Sequence, residues 1–489
     1  MKQNISKHKV AILGSGVAGL ASAVRLAAAG FKVTVYEQSS TYGGKMGVWQ
    51  KDGYRWDTGP SLFTMPHYVK ELLAIDGKND VPFEYEELDT ICNYFWEDGT
   101  RMSASKDREK LYEEFEKNLG EPKENIKAYL EDSKEKFNIT NHVFLEKSLH
   151  RFKTFLNLGT IKSIFRLPKV EVFKNMNAQN VKRFKNPKTV QFFNRYATYN
   201  GSNPYAAPAT LNVIPHYEFG IGAFFPKKGI RSIADALYTK ASNLGVNFLF
   251  ETPVVGVEKK NGSYVVNDTD TYDIALCNMD VAAAARGPLQ SLIGDSRKEY
   301  EPSSSALIFY WGMKSSYKEL EVHNIFFSED YHKEFTNIFS NKKIDDDPTV
   351  YIHISSKSNA EDAPSDGENW FVMVNAPYDD NQEWDKMIAK AKSNIISKLS
   401  KSLGRNISED ILIEHKLTPQ LIMSNTGSYK GALYGTSSNN RMSAFLRQAN
   451  FSSKNKGLYF CGGSVHPGGG IPLCLLSAKI STDIINRDF

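Results

Sequence analysis

Residues 9–38 read KVAILGSGVAGLASAVRLAAAGFKVTVYEQ, and this stretch decides the fold. Val10 to Leu13 is a short apolar run, Gly14, Gly16 and Gly19 follow at G-x-G-x-x-G spacing, and Ala18 to Ala29 carries an alanine-rich helical pattern. Gly30 stops the helix, and Lys32 to Tyr36 alternates as a second strand that ends at Glu37. A strand, a tight glycine turn, a helix and a strand within about 30 residues make a βαβ crossover. Gly14 permits the turn, Gly16 lets a pyrophosphate approach the backbone, and Gly19 lets helix and strand pack closely. Glu37, 23 residues after Gly14, is placed to accept hydrogen bonds from ribose hydroxyls. A bare glycine triplet also occurs by chance in α/β proteins; the strand, helix and terminal acid around this one make dinucleotide binding the reading.

The same stretch imitates a secretory signal, since MKQNISKHK precedes an apolar run with small residues. A signal core has no reason to space glycines for a dinucleotide or to run into a second strand, and Arg25 interrupts the run. No other stretch approaches 18 uncharged apolar residues, so neither secretion nor a spanning helix is expected.

NAD and FAD remain open at this point. Downstream, SSTYGGKMGVWQKDGYRWDTGPSLFTMP places Gly43-Gly44 directly after the ribose strand, then a hairpin, then Asp57-Thr58-Gly59-Pro60-Ser61. In a simple nicotinamide dehydrogenase that strand would feed the next helix; the detour past the diphosphate favours FAD. A second glycine cluster lies in HPGGGIPL, His466 to Leu473. Gly468 to Gly470 imply close backbone approach or positive φ, and Pro472 reads as a first-turn helix residue. The free N–H groups of that helix would face whatever the glycines admit. The plainer alternative is an entry loop for an apolar helix carrying Leu473, Leu475, Leu476, Ile480 and Ile484.

The chain has 489 residues, 41% of them hydrophobic, enough for two or three domains with sizeable cores. Its net charge is 60 − 56 = +4, and no recognition motif accompanies the basic residues, so nucleic acid is not an expected partner. Cys92, Cys277, Cys461 and Cys474 stand far apart without C-x-x-C spacing, which points to a reduced cytoplasmic protein with no metal centre. Redox chemistry would require a bound cofactor.

Taken together, GSGVAG (14–19), Glu37, Gly43-Gly44-Lys45, DTGPS (57–61), FFPKKGIRSIADAL (224–237) and GLYFCGGSVHPGGGIPLCLLSAK (457–479) resemble the bacterial phytoene desaturase-type carotenoid desaturases. The likeness runs end to end. It implies an α/β fold with a Rossmann-like FAD-binding domain of the amine oxidase/phytoene desaturase type, a mixed-sheet substrate domain and a helical region. It further implies FAD contacts at Gly14, Gly16, Ala18, Gly19, Glu37, Gly44, Lys45, Gly59, Pro60, Ser61, Val254, Gly463, Ser464, Gly470, Ile471 and Pro472. A strand after Pro253 would line the adenine, with Val254 meeting it through backbone groups. Lys45 replaces the arginine more usual after the paired glycines, and Ser464 stands where relatives carry threonine or aspartate. The helix starting near Pro472 would point its N-terminus at the pyrimidine edge of the isoalloxazine, favouring the reduced flavin.

His466 is the titratable group nearest the expected flavin and the catalytic candidate, with a role in fixing the Pro467 turn as the alternative. Tyr217, Glu218 and Arg231 are further candidates that the sequence leaves unplaced. The pattern resembles hydroxycarotenoid 3,4-desaturases, implying dehydrogenation of an acyclic 1-hydroxycarotenoid end group, with quinone or oxygen as the electron acceptor. Desaturation of phytoene, an amine-oxidising flavoenzyme and a non-catalytic carotenoid-binding flavoprotein stand as alternatives.

The FAD domain is expected from the discontinuous pieces 1–75, 222–290 and 455–489, with a helix over Ile230 to Leu244, an Asn261-Gly262 hairpin turn and a strand within Tyr272 to Asp280. Residues 76–221 are expected to be helical and 291–454 to form the mixed sheet, from runs such as SSSALIFYWGM, YIHIS and NWFVMVNAP. Between Lys147 and Lys188 eleven basic residues stand against Glu171 alone, interleaved with apolar ones; Phe152, Phe155, Leu156 and Gly159 form a helical stripe. That combination suits a helix lying on an anionic membrane surface, hence peripheral association with the inner face of the cell membrane. A helical lid with solvated lysines is the alternative.

Overall fold

A computed structural model describes residues 8–141, 145–148, 150, 166–294, 301–439 and 447–489. Its centre is a parallel five-stranded sheet. The strand Lys9–Leu13 pairs in register with Lys32–Tyr36 on one side and with Ile274–Cys277 on the other. Leu458–Phe460 and Asn247–Leu249 form the two edges. The runs VAIL, IALC and LYF are apolar without alternation because this sheet is covered on both faces. One face holds three helices, Val17–Ala28, Arg231–Asn243 and Ile471–Asp488, whose apolar residues share one core. The other face is covered by a three-stranded meander from Val257 to Tyr272, turned at Asn261 and Gly262, both at positive φ.

A second, seven-stranded sheet runs in the order Ile411–Leu417, Ser305–Met313, Glu368–Ala376, Val350–Ile354, His323–Phe326, Thr90–Phe95, Arg101–Ser105. Only the contact between His323–Phe326 and Thr90–Phe95 is parallel. Period-2 alternation sorts its residues cleanly. Leu307, Phe309, Trp311 and Met313 pack under the helix Trp384–Leu403, while Ala306, Ile308 and Tyr310 join Tyr54, Trp56 and Phe371 on the opposite face.

Two sequence expectations change here. Residues 76–221 are not purely helical, since Thr90–Phe95 and Arg101–Ser105 extend the large sheet. Cys92, Tyr94 and Phe95 each find an apolar core there that an isolated hairpin lacks. No strand follows Pro253 directly; the chain stays irregular until Val257, because Pro253 has no N–H and Val255 spends its own on Asn267 Oδ1.

The helical unit centres on Arg108–Leu119, Lys123–Thr140, Met176–Arg183 and Pro187–Asn194. It also explains most of the described basic residues between 147 and 188. Arg166 and Lys169 both reach Glu135 at 2.8 Å, Lys174 reaches Glu171 at 3.0 Å, Arg183 meets Asp132 and Glu171, and Lys188 meets Asp98. The eleven-to-one count therefore overstates the free charge, because Asp98, Asp132 and Glu135 lie outside the counted window. Of the described basic residues there, Lys147, Lys182 and Lys185 stand outside such pairs. The Phe152 to Gly159 stripe lies outside the described residues.

Glu171 anchors this unit. It takes Lys136, 1% exposed, at 2.7 Å, as well as Lys174 and Arg183. Burial raises its pKa, but the hydrogen bond and charge of Lys136, joined by Lys174 and Arg183, outweigh that and leave it below the ordinary 4.5. A depressed carboxylate contributes stability that is complete above its unfolded value and is lost as pH falls through the folded one. Glu171→Gln should therefore cost about 2 kcal/mol at neutral pH, since it removes one of the two carboxylates on buried Lys136 and leaves Asp132 as its partner. Urea unfolding at pH 7 and below pH 4.5 checks this: the deficit should shrink in acid.

Candidate functional site

The first helix begins at Gly16 with no side-chain cap, so its leading amides are available to an anion. Beside it, Glu37 Oε2 accepts from Ser15 N at 2.9 Å and from Ser15 Oγ at 2.5 Å, and Oε1 accepts from Ser39 N. The acid is thus fixed at the mouth of the glycine turn. Thr252 N donates to the Glu37 carbonyl, which brings half-buried Val254 to the same edge of the sheet.

The paired glycines fold back on this turn. Gly43 N donates to Ser15 O at 3.0 Å, and a Cβ on Gly44 would lie 3.1 Å from Gly16 Cα. Arg231 holds the loop in place: its guanidinium donates to the carbonyls of Tyr42 and Met46 and to Thr41 Oγ1, and stacks 4.4 Å from the Tyr42 ring centre. Arg231 is accordingly a positioning residue. Asp57 accepts from the backbone N–H of Ile230 at 2.8 Å and of Arg231 at 3.0 Å, a cap supplied from a distant segment. Two residues on, a Cβ at Gly59 would sit 1.8 Å from the Lys45 carbonyl, so the loop carrying Gly59, Pro60 and Ser61 is locked against Lys45 at Gly59.

At the other end, Gly470 has φ +99° with nothing within 4 Å of where a side chain would stand, and the helix Ile471–Asp488 starts there uncapped with Pro472 in its first turn. Gly463 abuts Gly469 and Cys474, and Ser464 Oγ accepts from Val281 N at 3.1 Å. Two cations border this opening. Lys45 Nζ donates to Leu433 O at 2.8 Å, and burial lowers its pKa against the opposing charge of Asp280. Arg447 donates through Nη1 to Tyr434 O and Gly463 O, while its buried Nη2 has no partner among the described residues. Burial brings the Arg447 pKa down to about 10.

This donor set fits a flavin dinucleotide. Glu37 would take the ribose, the first-helix amides the diphosphate, and Lys45, the spare Arg447 donor and the last helix N-terminus an electron-rich ring edge. Sequence reasoning missed Arg447, which lies outside every motif; its approach to Gly468 arises only on folding.

His466 is held in its loop. Its ring N–H at Nε2 donates to Lys147 O at 2.9 Å, and its carbonyl accepts from Asn450 and Ser477. Burial lowers its pKa to about 4, so it is neutral at physiological pH, and its contacts anchor the loop. Glu218 is also placed: both its oxygens are taken by Tyr196 and Tyr199, with Arg195 Nη2 at 3.1 Å, deep in the helical unit. Tyr217, Tyr351 and Tyr434 are half-buried.

Residues 17–486 match the flavin-containing amine oxidoreductases, and the chain belongs to that family. It is an oxidoreductase, and its cofactor is FAD. Among curated proteins, it is 46% identical to a 1-hydroxycarotenoid 3,4-desaturase of Flavobacterium sp. (strain P99-3), over 98% of this chain and 99% of that one. It is 28% identical to a phytoene desaturase of Fusarium fujikuroi, over 99% and 90% of the two chains. Among solved structures, cyclohexylamine oxidase from Brevibacterium oxydans IH-35A superposes with a TM-score of 0.63 over 99% of both chains. At 13% identity that likeness is one of fold.

Gly16→Val should yield a folded but colourless protein, because the isopropyl group fills the space in front of the first helix. The ratio of visible flavin absorbance to protein absorbance after purification checks this; a flavin-replete variant would contradict the assignment of the diphosphate to that turn.

Proposed function

We propose that this protein dehydrogenates the 3,4 bond of an acyclic 1-hydroxycarotenoid end group. The observation that carries the reading is the 46% identity, sustained from end to end, to a protein of that activity, against 28% to a phytoene desaturase. When bound, FAD supplies the two-electron acceptor: one hydrogen leaves carbon as hydride, its neighbour leaves as a proton, and a double bond forms. The protein orients the substrate and excludes water. Lys45 and Arg447 place fixed positive charge beside the opening at Gly470, which favours a cofactor that gains negative charge on reduction. Quinone or oxygen is the proposed electron acceptor.

An anaerobic mixing experiment tests the substrate. A 1-hydroxycarotenoid should bleach the flavin while the polyene absorption moves to longer wavelength, because the conjugated system gains one double bond. Phytoene turned over in preference to hydroxylated carotenes would replace this reading with the phytoene one, and amine-driven bleaching would favour an amine oxidase.

Peripheral contact with the inner face of the cell membrane belongs to the same proposal, since the substrate is a bilayer-soluble hydrocarbon. Among the described residues no helix is long and apolar enough to cross a membrane. Phe173 and Val181, 77% and 56% exposed, stand near the unpaired Lys182 and Lys185 in the chain, and they suit shallow insertion into an anionic surface. Phe173→Ser combined with Lys182→Gln and Lys185→Gln should weaken partition onto anionic vesicles roughly tenfold and leave the flavin spectrum intact. Sedimentation of vesicles at low and moderate salt measures it.

A further inference from the structure

A hydroxylated carotenoid end carries one polar group into a largely apolar interior, and a hydroxyl buried without a partner is destabilising. In the substrate proposed above, on which this inference rests, a single methylene separates the hydroxylated carbon from the bond that is dehydrogenated. The group that receives the hydroxyl must therefore lie next to the cofactor, not at the far end of the cavity. Hydrogen-bond saturation removes the neighbouring Arg195–Glu218 cluster, whose carboxylate oxygens are already occupied by Tyr196 and Tyr199.

It leaves Ser61, Tyr351 and His323. Ser61 belongs to the loop locked against Lys45. Its Oγ lies 2.8 Å from the Tyr351 hydroxyl, which lies 2.7 Å from His323 Nδ1. Tyr351 sits where the apolar core of the helical unit meets that of the large sheet, deep in the molecule but with accessible area remaining. His323 is buried behind it, its ring stacked 4.9 Å from His353, its partner on the next strand. His353 is held in turn by its Nδ1–H donating to Val322 O.

A hydroxyl has one hydrogen to donate and two lone pairs. If Tyr351 donates to His323, Ser61 donates to Tyr351 and keeps an acceptor free. If the chain runs the other way, the Ser61 hydrogen is left to donate. In either direction the chain ends at Ser61 Oγ with one bond unmade, complementary to an alcohol. We infer that Ser61 and Tyr351 bind the C1 hydroxyl of the substrate, that His323 positions Tyr351, and that this chain selects hydroxylated over unhydroxylated ends.

The test uses two acyclic C40 carotenes that differ only in the C1 hydroxyl, with FAD-loaded enzyme. The ratio of kcat/KM for the two should fall about a hundredfold in Tyr351→Phe, a part of the roughly 10⁴–10⁵-fold discrimination open to a site built to hydrogen-bond a substrate hydroxyl, since Ser61 remains. It should fall in the same direction in Ser61→Ala and His323→Gln. His323→Gln, which lies outside the cofactor contacts, serves if Tyr351→Phe loses its flavin. Binding supplies a readout apart from turnover: with enzyme reduced anaerobically, quenching of tryptophan fluorescence should show the hydroxylated carotene losing its affinity advantage in the variants. If rates on both carotenes drop together, or the ratio holds, Tyr351 packs the cavity without reading the hydroxyl and the inference is overturned. A wild-type enzyme that leaves the hydroxylated end untouched overturns the proposed function as well, whereas a wild-type preference that survives in every variant overturns only this inference.

Discussion

Close backbone contact among three glycine-bearing loops is the constraint on which the rest of the structure depends. The loop at 43–47 passes within van der Waals distance of Gly16 on one side and leaves no room for a side chain at Gly59 on the other. Backbone hydrogen bonds from Gly43 N to Ser15 O and from Thr58 N to Gly47 O join these loops, and side chains complete the closure. Those side chains meet at one helix, Arg231–Asn243: its first residue fastens carbonyls of the 43–47 region, and its first amides are fastened by Asp57. A single helix start thereby ties the ribose strand, the paired glycines and the 57–61 loop into one rigid wall.

Charge is distributed around that wall in an orderly way. Cations at the ring end, Lys45 and Arg447, are buried and held by backbone carbonyls of Leu433, Tyr434 and Gly463, which leaves them able to act on a third party. In the helical unit the reverse holds: Lys136, Arg183 and Arg195 are consumed by Asp132, Glu171 and Glu218, so they build structure. Buried histidines follow the same division. Burial keeps His353 and His466 neutral, with pKa values near 4, so they serve as hydrogen-bonding rings.

Much of the fold was legible in local patterns. The register of strands 9–13 and 32–36, the helix between them, the helix at 231–243, the two-residue turn at Asn261-Gly262 and the helix at Pro472 follow from short-range signals that folding does not override. The alternation in Ser305–Met313 and Glu368–Ala376 likewise announced a two-faced sheet. Misreadings occurred where a local pattern had a distant partner. The strands at 90–105 lie far in sequence from the sheet they join, and the basic run from Lys147 to Lys188 is neutralised largely by acids of neighbouring segments.

From the sequence alone came the dinucleotide turn, its acid Glu37, the glycines at both ends of the candidate site and the family likeness, because each depends on residues adjacent in the chain or on backbone conformations that only certain residues adopt. Tertiary structure alone decided which polar groups are spent and which are free. Arg231 and Arg195 are indistinguishable from Arg447 as letters, yet the first fastens a loop, the second closes an ion pair, and the third keeps a donor unsatisfied among the described residues. Tyr351, His323 and Ser61 meet across hundreds of residues. Hydrogen-bond saturation is a property of three-dimensional neighbours, and no spacing in the chain encodes it.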